Sequence, residues 1–321
     1  MQLQGTNTYL VGTGRSRILI DTGEVNSLLS TSSVLNFSTY ALFGHINPNG
    51  TVELTRTNQG FPQWATNLTV YLDSHDIEIS QVLLTHWHAD HTGGVDDLLA
   101  YDPSITVHKN RPNKGQLAIA DGQIFRTQGA TLKAVVTPGH SNDHTCFVLV
   151  EENALFTGDN VLGHGYSVAE DLGAYTTSLR RMASLGCSTG YPGHGAVIGD
   201  LPQKLERYIS QRDARERQVY ATLAKETSLG SSRVTGASIH GNKAGNSLDN
   251  MVSYTHGLSV ADICLILYGE AVRDPATFES ALKPLMSQVL FMLEEQGRVG
   301  FKLAGLDKET RYWFARDVAC N

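Results

Sequence analysis

The chain has 321 residues, more than one compact core usually holds, so a large domain with a smaller companion is expected. Its 41% hydrophobic and 18% charged residues fit a soluble globular protein. No apolar run reaches the ~20 residues of a membrane span, and a net charge of −7 gives no general field favouring nucleic acid.

The opening residues, MQLQGTNTYLVGTG, show no basic stretch followed by an apolar core, so no secretory leader is expected. NTYLVGTGRSRILIDTG reads as two short strands joined by a Gly-rich turn, with Asp21 closing the second. Residues 25–59 break the pattern. They are rich in Ser, Thr and Asn and lack a period, so they read as an insert without ordered structure, or as an ordinary long surface loop. With that segment set aside, residues 60–84 give a turn, one helix and a strand, as a βαβ-like unit requires. The strand ending at Leu84 runs straight into THWHADHTGG, and HTGGVDDLLAYDP starts a helix that stops before Pro103.

ITVHKN, TLKAVVTPGH, TCFVLVEENALFTGD and GCSTGYPGH then repeat one plan: a β-rich run, a turn, and a His or Asp. Metal-type residues therefore stand at strand ends, on loops over a sheet. LPQKLERYISQRDARERQVYATLAKE has the period of a long amphipathic helix. The chain turns polar and Gly/Ser-rich after Gly230, until SVADICLILYG and FESALKPLMSQVLFMLEEQGRVGFKLAG give two helices and a short basic turn or strand. The expected division is a main domain over 1–228, a polar linker over 229–255 and a small winged-helix-like region over 256–321. Cys146, Cys187, Cys264 and Cys320 form no CxxC pair, so buried or free thiols in a reducing cytosol are expected rather than a disulfide frame.

His86, His88, Asp90 and His91 make an HxHxDH cluster. On extended or loop backbone, residues i and i+2 point to one side. His86 and His88 can then grip one ion while Asp90 and His91 face a second, and Gly93 and Gly94 let the chain bend sharply beside them. His140 in TPGHS, Asp159 in FTGDN and His194 in YPGHG raise the count to seven, enough for two ions with a shared carboxylate and a bridging water. Imidazole with carboxylate suits zinc, manganese or iron and permits an open coordination position. Asp21, His144 with its neighbour Asp143, and His164 are candidates to brace ligands or face the pocket. His45, His75, His108, His240 and His256 have no partner motif and read as surface residues.

THWHADH, PGHS, TGDN and PGHG, in that order over residues 85–195, resemble the metallo-β-lactamase superfamily; NTYLV and LIDTG extend the likeness. The resemblance implies an α/β fold, an αββα sandwich with a dinuclear site at one edge. It implies His86, His88 and His140 on one divalent ion, Asp90, His91 and His194 on the other, and Asp159 bridging. Zn2+ is the first expectation and Mn2+ the second. The absence of cysteine from these positions favours hydrolase branches related to glyoxalase II. Longer strings, among them LTHWHADHTGGV, VHKNRP and PGHSNDHTCFVLVEENALFTGDNVLGHG, look most like fungal thioesterases of the atrochrysone-carboxyl type. That likeness implies a cytoplasmic enzyme that hydrolyses the acyl-carrier-protein thioester of an aromatic polyketide. Its partner would be the acyl carrier domain of a non-reducing polyketide synthase, with neither membrane nor nucleic acid as partner. Asp90 would orient or deprotonate the nucleophile as well as bind metal. The alternatives are an endoribonuclease of the lactamase-β-2-like group and a small-thioester hydrolase of the glyoxalase II kind.

Overall fold

Hydrophobic residues on alternating positions of β1 (Asn7–Val11) and β2 (Ser16–Ile20) determine how the first layers stack. The computed structural model describes residues 5–23, 44–45, 51–56, 63–235, 257–304 and 310–316. β1 and β2 pair antiparallel, Tyr9 opposite Ile20 and Val11 opposite Ile18. Side chains alternate across a strand. Tyr9, Val11, Ile18 and Ile20 therefore enter one core cluster, and Leu10 and Leu19 enter another on the opposite face.

The short β3 (Gly44–His45) and β4 (Val52–Arg56) come next. β4 pairs antiparallel with β1 along its whole length, from Val52 opposite Val11 to Arg56 opposite Asn7. This corrects the expectation that 25–59 lacks ordered structure: VELTR is a five-residue alternating strand inside a polar stretch, and it extends the sheet past β1. Residues 25–43, 46–50 and 57–59 of that expected insert lie outside the described residues.

α1 (Gln63–His75) then crosses over, and β5 (Glu78–Leu83) returns parallel to β2, completing the expected βαβ-like unit. The single turn α2 (Ala89–Thr92) and α3 (Val95–Tyr101) precede β6 (Thr106–Lys109) and β7 (Leu117–Ala118). This sheet has the order β3-β4-β1-β2-β5-β6-β7.

The second sheet consists of β8 (Ile124–Thr127), β9 (Ala130–Val136), β10 (Thr145–Leu149), β11 (Ala154–Gly158) and β12 (Thr189–Pro192). Its order is β12-β11-β10-β9-β8, antiparallel except for β11 beside β12. Leu132, Phe147, Phe156 and Tyr191 from this sheet meet Tyr9, Val11, Ile18 and Ile20 of the first in one buried cluster. Trp64, Leu68 and Leu72 of α1 and Val95 and Leu98 of α3 cover the first sheet's other face. α4 (Leu172–Ser184) lies along β9, where Ser178 Oγ donates to Pro138 O and Arg181 to Val136 O. Helix, sheet, sheet and helix thus give the expected αββα sandwich.

The chain divides into two compact units, Met1–Ile209 and Ser210–Asn321, the division falling inside helix α5 (Leu201–Thr235). α5 runs through the first residues of the expected linker; residues 236–256 lie outside the described residues. The second unit continues with α6 (Val260–Tyr268), the one-turn α7 (Pro275–Thr277), α8 (Lys283–Glu295) and an antiparallel hairpin of β13 (Val299–Ala304) and β14 (Thr310–Ala315). A capping box between Ser259 and Asp262 starts α6. Ile263, Met286, Val289, Leu290, Leu293 and Trp313 are buried in this unit. Trp313 on β14 packs edge-on to Phe291 at 5.4 Å and tilted on Phe301 at 5.0 Å.

Candidate metal centre

β2 and β5 run parallel, so their C-terminal ends lie side by side and place Asp21 against the 85–91 loop. Asp21 Oδ1 accepts from Thr85 N at 2.7 Å; its Oδ2 accepts from Thr85 Oγ1 and from His91 Nδ1, both at 2.8 Å. Thr22 ties down the other side, with its N and Oγ1 both donating to His91 O. His88 immediately precedes α2, and the backbone of His91 closes on His88 O. Gly93 and Gly94 make the turn between α2 and α3 without positive φ (−61° and −80°), so the turn does not call on glycine's conformational freedom. Gly94 is instead required by space: a Cβ there would sit 2.3 Å from the Trp64 ring.

All seven residues of the HxHxDH, PGH, TGD and PGH motifs converge. His86 Nε2 lies 2.9 Å from His88 Nδ1, which lies 3.1 Å from His140 Nε2. His194 Nε2 lies 3.1 Å from Asp90 Oδ2, and His91 Nε2 lies 3.5 Å from that same oxygen. Asp159 stands between the two groups. Its Oδ1 is 3.4 Å from His91 Nε2; its Oδ2 is 3.3 Å from His194 Nε2 and 3.6 Å from His140 Nε2. Among the described residues, His86–His88–His140, Asp90–His91–His194 and His86–His91–Asp159 are each close enough to hold a metal ion. Gly193 is what lets Asp159 approach: a Cβ at this position would fall 2.3 Å from Asp159 Oδ1 and 2.8 Å from the His91 ring.

The hydrogen bonds behind the rings decide which nitrogen each presents. His140 Nδ1 donates to Val168 O at 2.8 Å, and His91 Nδ1 donates to Asp21. Thr85 Oγ1 gives its proton to Asp21 and so accepts from His86 Nδ1 at 2.9 Å. Each of these three rings therefore presents its Nε2 to the centre, where it can bind a metal once it carries no proton.

The two histidine groups differ electrically. Burial holds His86 well below the usual histidine range, with the charge on His91 adding to it, and burial together with His140 lowers His88. Burial opposes a charge on His91 too, but Asp159 and Asp21 outweigh it and hold that ring well above the ordinary value. His194 is likewise lifted to about 10, its hydrogen bonds to Asp159 and Asp90 overriding burial. Burial would raise Asp90, yet His194 and His91 bring it down to about 2. His86 and His88 are thus neutral, while Asp90, His91, Asp159 and His194 form a balanced set of charges.

These donors fit divalent ions. His91 Nε2 and Asp159 Oδ1 are buried, face each other at 3.4 Å and have no hydrogen-bond partner. Three imidazole nitrogens, of His86, His88 and His140, converge within 4.8 Å of one another. Such a nitrogen and oxygen set suits zinc or manganese.

The bracing residues sort differently. Asp21 directly holds His91. His144 is buried with Nδ1 against Thr137 Oγ1, and its Nε2 accepts from the backbone N of Asp159 at 3.1 Å, so it braces Asp159 through the main chain. Asp143 pairs instead with Lys109 at 2.8 Å and accepts from Ser141 Oγ. His164 packs against the backbone at Gly195 and belongs to none of the ligating groups among the described residues. His108 is not a surface residue: it is buried on β6, edge-on to Phe125 at 5.0 Å.

Three contributors were not among the residues expected from the sequence. Thr6 Oγ1 donates to Asp90 Oδ2 at 3.1 Å. Asn7 Nδ2 donates to Pro192 O and Gly195 O, clamping the His194 loop. Val168 supplies only its carbonyl, to His140. GTN, which runs into the first strand, was the available hint for two of them.

Comparison with known proteins agrees with this geometry. The family described as the Metallo-beta-lactamase superfamily matches residues 2–111 and 109–194. The chain is 55% identical over 307 residues to "Thioesterase pkgB" of Emericella nidulans, covering 93% of this chain and 80% of that one. It is 49% identical over 319 residues to "Lactamase-like protein nscB" of Arthroderma otae, covering 99% and 83%. A beta-lactamase domain protein from Burkholderia ambifaria shares the fold at a TM-score of 0.62 and 16% identity, over 98% of this chain and 90% of its own. Seven converging histidine and aspartate side chains on an αββα sandwich, in a chain so matched, identify it as a member of the metallo-beta-lactamase superfamily of hydrolases.

Proposed function

We propose that this enzyme is a thioesterase that hydrolyses the bond between an aromatic polyketide and an acyl carrier domain, releasing the acid from a non-reducing polyketide synthase. The observation that carries this reading is the Asp159 carboxylate set between two histidine groups in a chain 55% identical to a thioesterase. His86, His88 and His140 would hold one divalent ion, Asp90, His91 and His194 the other, and Asp159 both. Zinc is our first assignment and manganese our second. When bound, the pair would supply a water of lowered pKa and Lewis acidity toward the thioester carbonyl.

The rest of the chemistry belongs to the chain. Asp90 is an anion at neutral pH, so it accepts a hydrogen bond from the attacking water and aims it; Thr6 fixes the rotamer from which it does so. The departing thiolate is a good leaving group and needs no strong acid. No side-chain nucleophile is required, and Cys146, whose buried thiol is pushed up to about 12, supplies none. Trp87 is 50% exposed and edge-on to His88 at 4.5 Å, and Val168 is 79% exposed beside its bond to His140. Both offer apolar surface to an acyl group at the centre. No helix among the described residues is long and apolar enough to cross a membrane, and Cys146, Cys187 and Cys264 are free thiols. The free thiols fit our cytoplasmic assignment.

The test loads purified full-length chain with zinc and supplies an acyl carrier protein bearing an aromatic polyketide thioester, with a structured RNA assayed in parallel. The expected products are free acid and carrier thiol, lost on chelation and restored by zinc. RNA cleavage without acyl release would overturn the reading in favour of a nuclease.

A further inference from the structure

A cleft of about 490 Å³ beside the His140 loop has no part in the chemistry above. Three segments wall it: Asn110 and Arg111 after β6, Gly139, Ser141 and Asn142 around His140, and Glu170 just before α4. Among the described residues, the side chains of Asn110, Arg111, Asn142 and Glu170 have no hydrogen-bond or ion-pair partner. Their base, by contrast, is fixed. The buried Lys109–Asp143 pair holds Ser141, and Gly139 O accepts from the backbone of Glu170 at 2.8 Å and of Asp171 at 3.1 Å. One unpaired cation and two unpaired carboxamides therefore stand on a rigid floor. Gly139 and Ser141 flank His140, so the cleft begins one residue from a side chain of the metal centre.

A carrier thioester has two sides. With its carbonyl at the centre, the acyl group leaves in one direction and the thiol-side chain must leave in another, along adjoining surface. That chain carries two amides, a short branched apolar segment and a terminal phosphate. The cleft offers the matching groups: Asn110 and Asn142 for amides, an apolar wall of Val136 and Pro138, and Arg111 for the phosphate. Glu170 accepts amide N–H groups, and its charge disfavours ligands that bring several negative charges.

Building on the thioesterase reading, we propose that this cleft seats the phosphopantetheine arm of the carrier, with Arg111 holding its phosphate and Asn110 and Asn142 its amides.

Calorimetric titration of the zinc-loaded full chain tests this with two probes, 4′-phosphopantetheine and pantetheine. Both carry the same thiol, so any contact of sulfur with the centre cancels in the comparison. Wild type is expected to prefer the phosphorylated probe by about tenfold, the usual worth of one charge-assisted contact. Arg111→Ala should bring that ratio close to one, and Arg111→Lys should keep part of it. Equal affinities in wild type, or a preference that survives Arg111→Ala, overturn the proposal. Absence of thioester hydrolysis with the phosphate preference intact would unseat the catalytic reading and leave the cleft assignment standing. Hydrolysis without the preference would do the reverse.

Discussion

Asp21 Oδ2 accepts the Nδ1 proton of His91 at 2.8 Å, and the same oxygen takes the Thr85 hydroxyl that orients His86. One carboxylate outside the ligating set thus fixes a ring in each histidine group. Asp21 occupies left-handed backbone, φ 58°, a region asparagine also tolerates. Asp21→Asn should therefore keep the local chain path while removing the charge that both donors face. Metal affinity should fall roughly 10- to 100-fold, as it does on losing a hydrogen-bond partner behind a metal ligand. Chelator competition against wild type measures it, and unchanged affinity for both ions would refute the bracing role.

The contrast between Asp21 and Asp143 shows what a sequence discloses. Both were legible as carboxylates near the cluster, but their partners were not: Asp21 meets His91 across parallel strands, and Asp143 is taken by Lys109 from β6. The seven central residues were readable because histidine and aspartate at repeated strand ends are few and chemically specific. Thr6 was not, since threonine is common and its partner Asp90 lies 84 positions away. β4 was hidden for a related reason. Five alternating residues within a polar stretch show their meaning only when β1 is present to pair with them.

Thr6 offers a sharper test of the Asp90 role. Thr6→Val keeps the shape and removes the donor to Asp90 Oδ2; Thr6→Ser keeps the hydroxyl. A hydrogen bond to a charged group is worth ~1.5–3 kcal/mol, so the valine variant should lose about 10- to 100-fold in kcat/KM and bind its second zinc more weakly. Serine should restore most of both. A valine variant with full activity and full stoichiometry would show that Asp90 needs no such support.

The asymmetry between the histidine groups predicts that the two ions load with different pH dependence. His86 and His88 are already neutral, so these two rings bind metal without first shedding protons. His91, held well above the ordinary value, and His194, lifted to about 10, are protonated at neutral pH and must be deprotonated to act as ligands. From pH 6 to 8, affinity for the second ion should rise more steeply than for the first, with protons released into a weak buffer. The metal-free protein should behave in the opposite sense. His194 is raised, so the stability it contributes is complete below about 6.5 and is lost as pH climbs through about 10. Asp90 is lowered, so its contribution is present above about 4 and lost as pH falls through about 2. Stepwise zinc titration with a pH indicator checks the first claim, and equal slopes for both ions would contradict it.

The buried Lys109–Asp143 pair supports the His140 loop from beneath, with the two side chains 3% and 1% exposed. Taking both charges out of water is costly, so their attraction is partly consumed in offsetting that cost. Removing one partner should be far worse than removing both. Lys109→Met would leave Asp143 with an uncompensated buried charge and should cost about 3–5 kcal/mol. Lys109→Met combined with Asp143→Leu should recover a large part of that loss, although Ser141 Oγ would then lack its acceptor. Urea unfolding of the two variants beside wild type decides the matter. Equal destabilisation by the single and double changes would mean that the pair contributes through packing and not through charge.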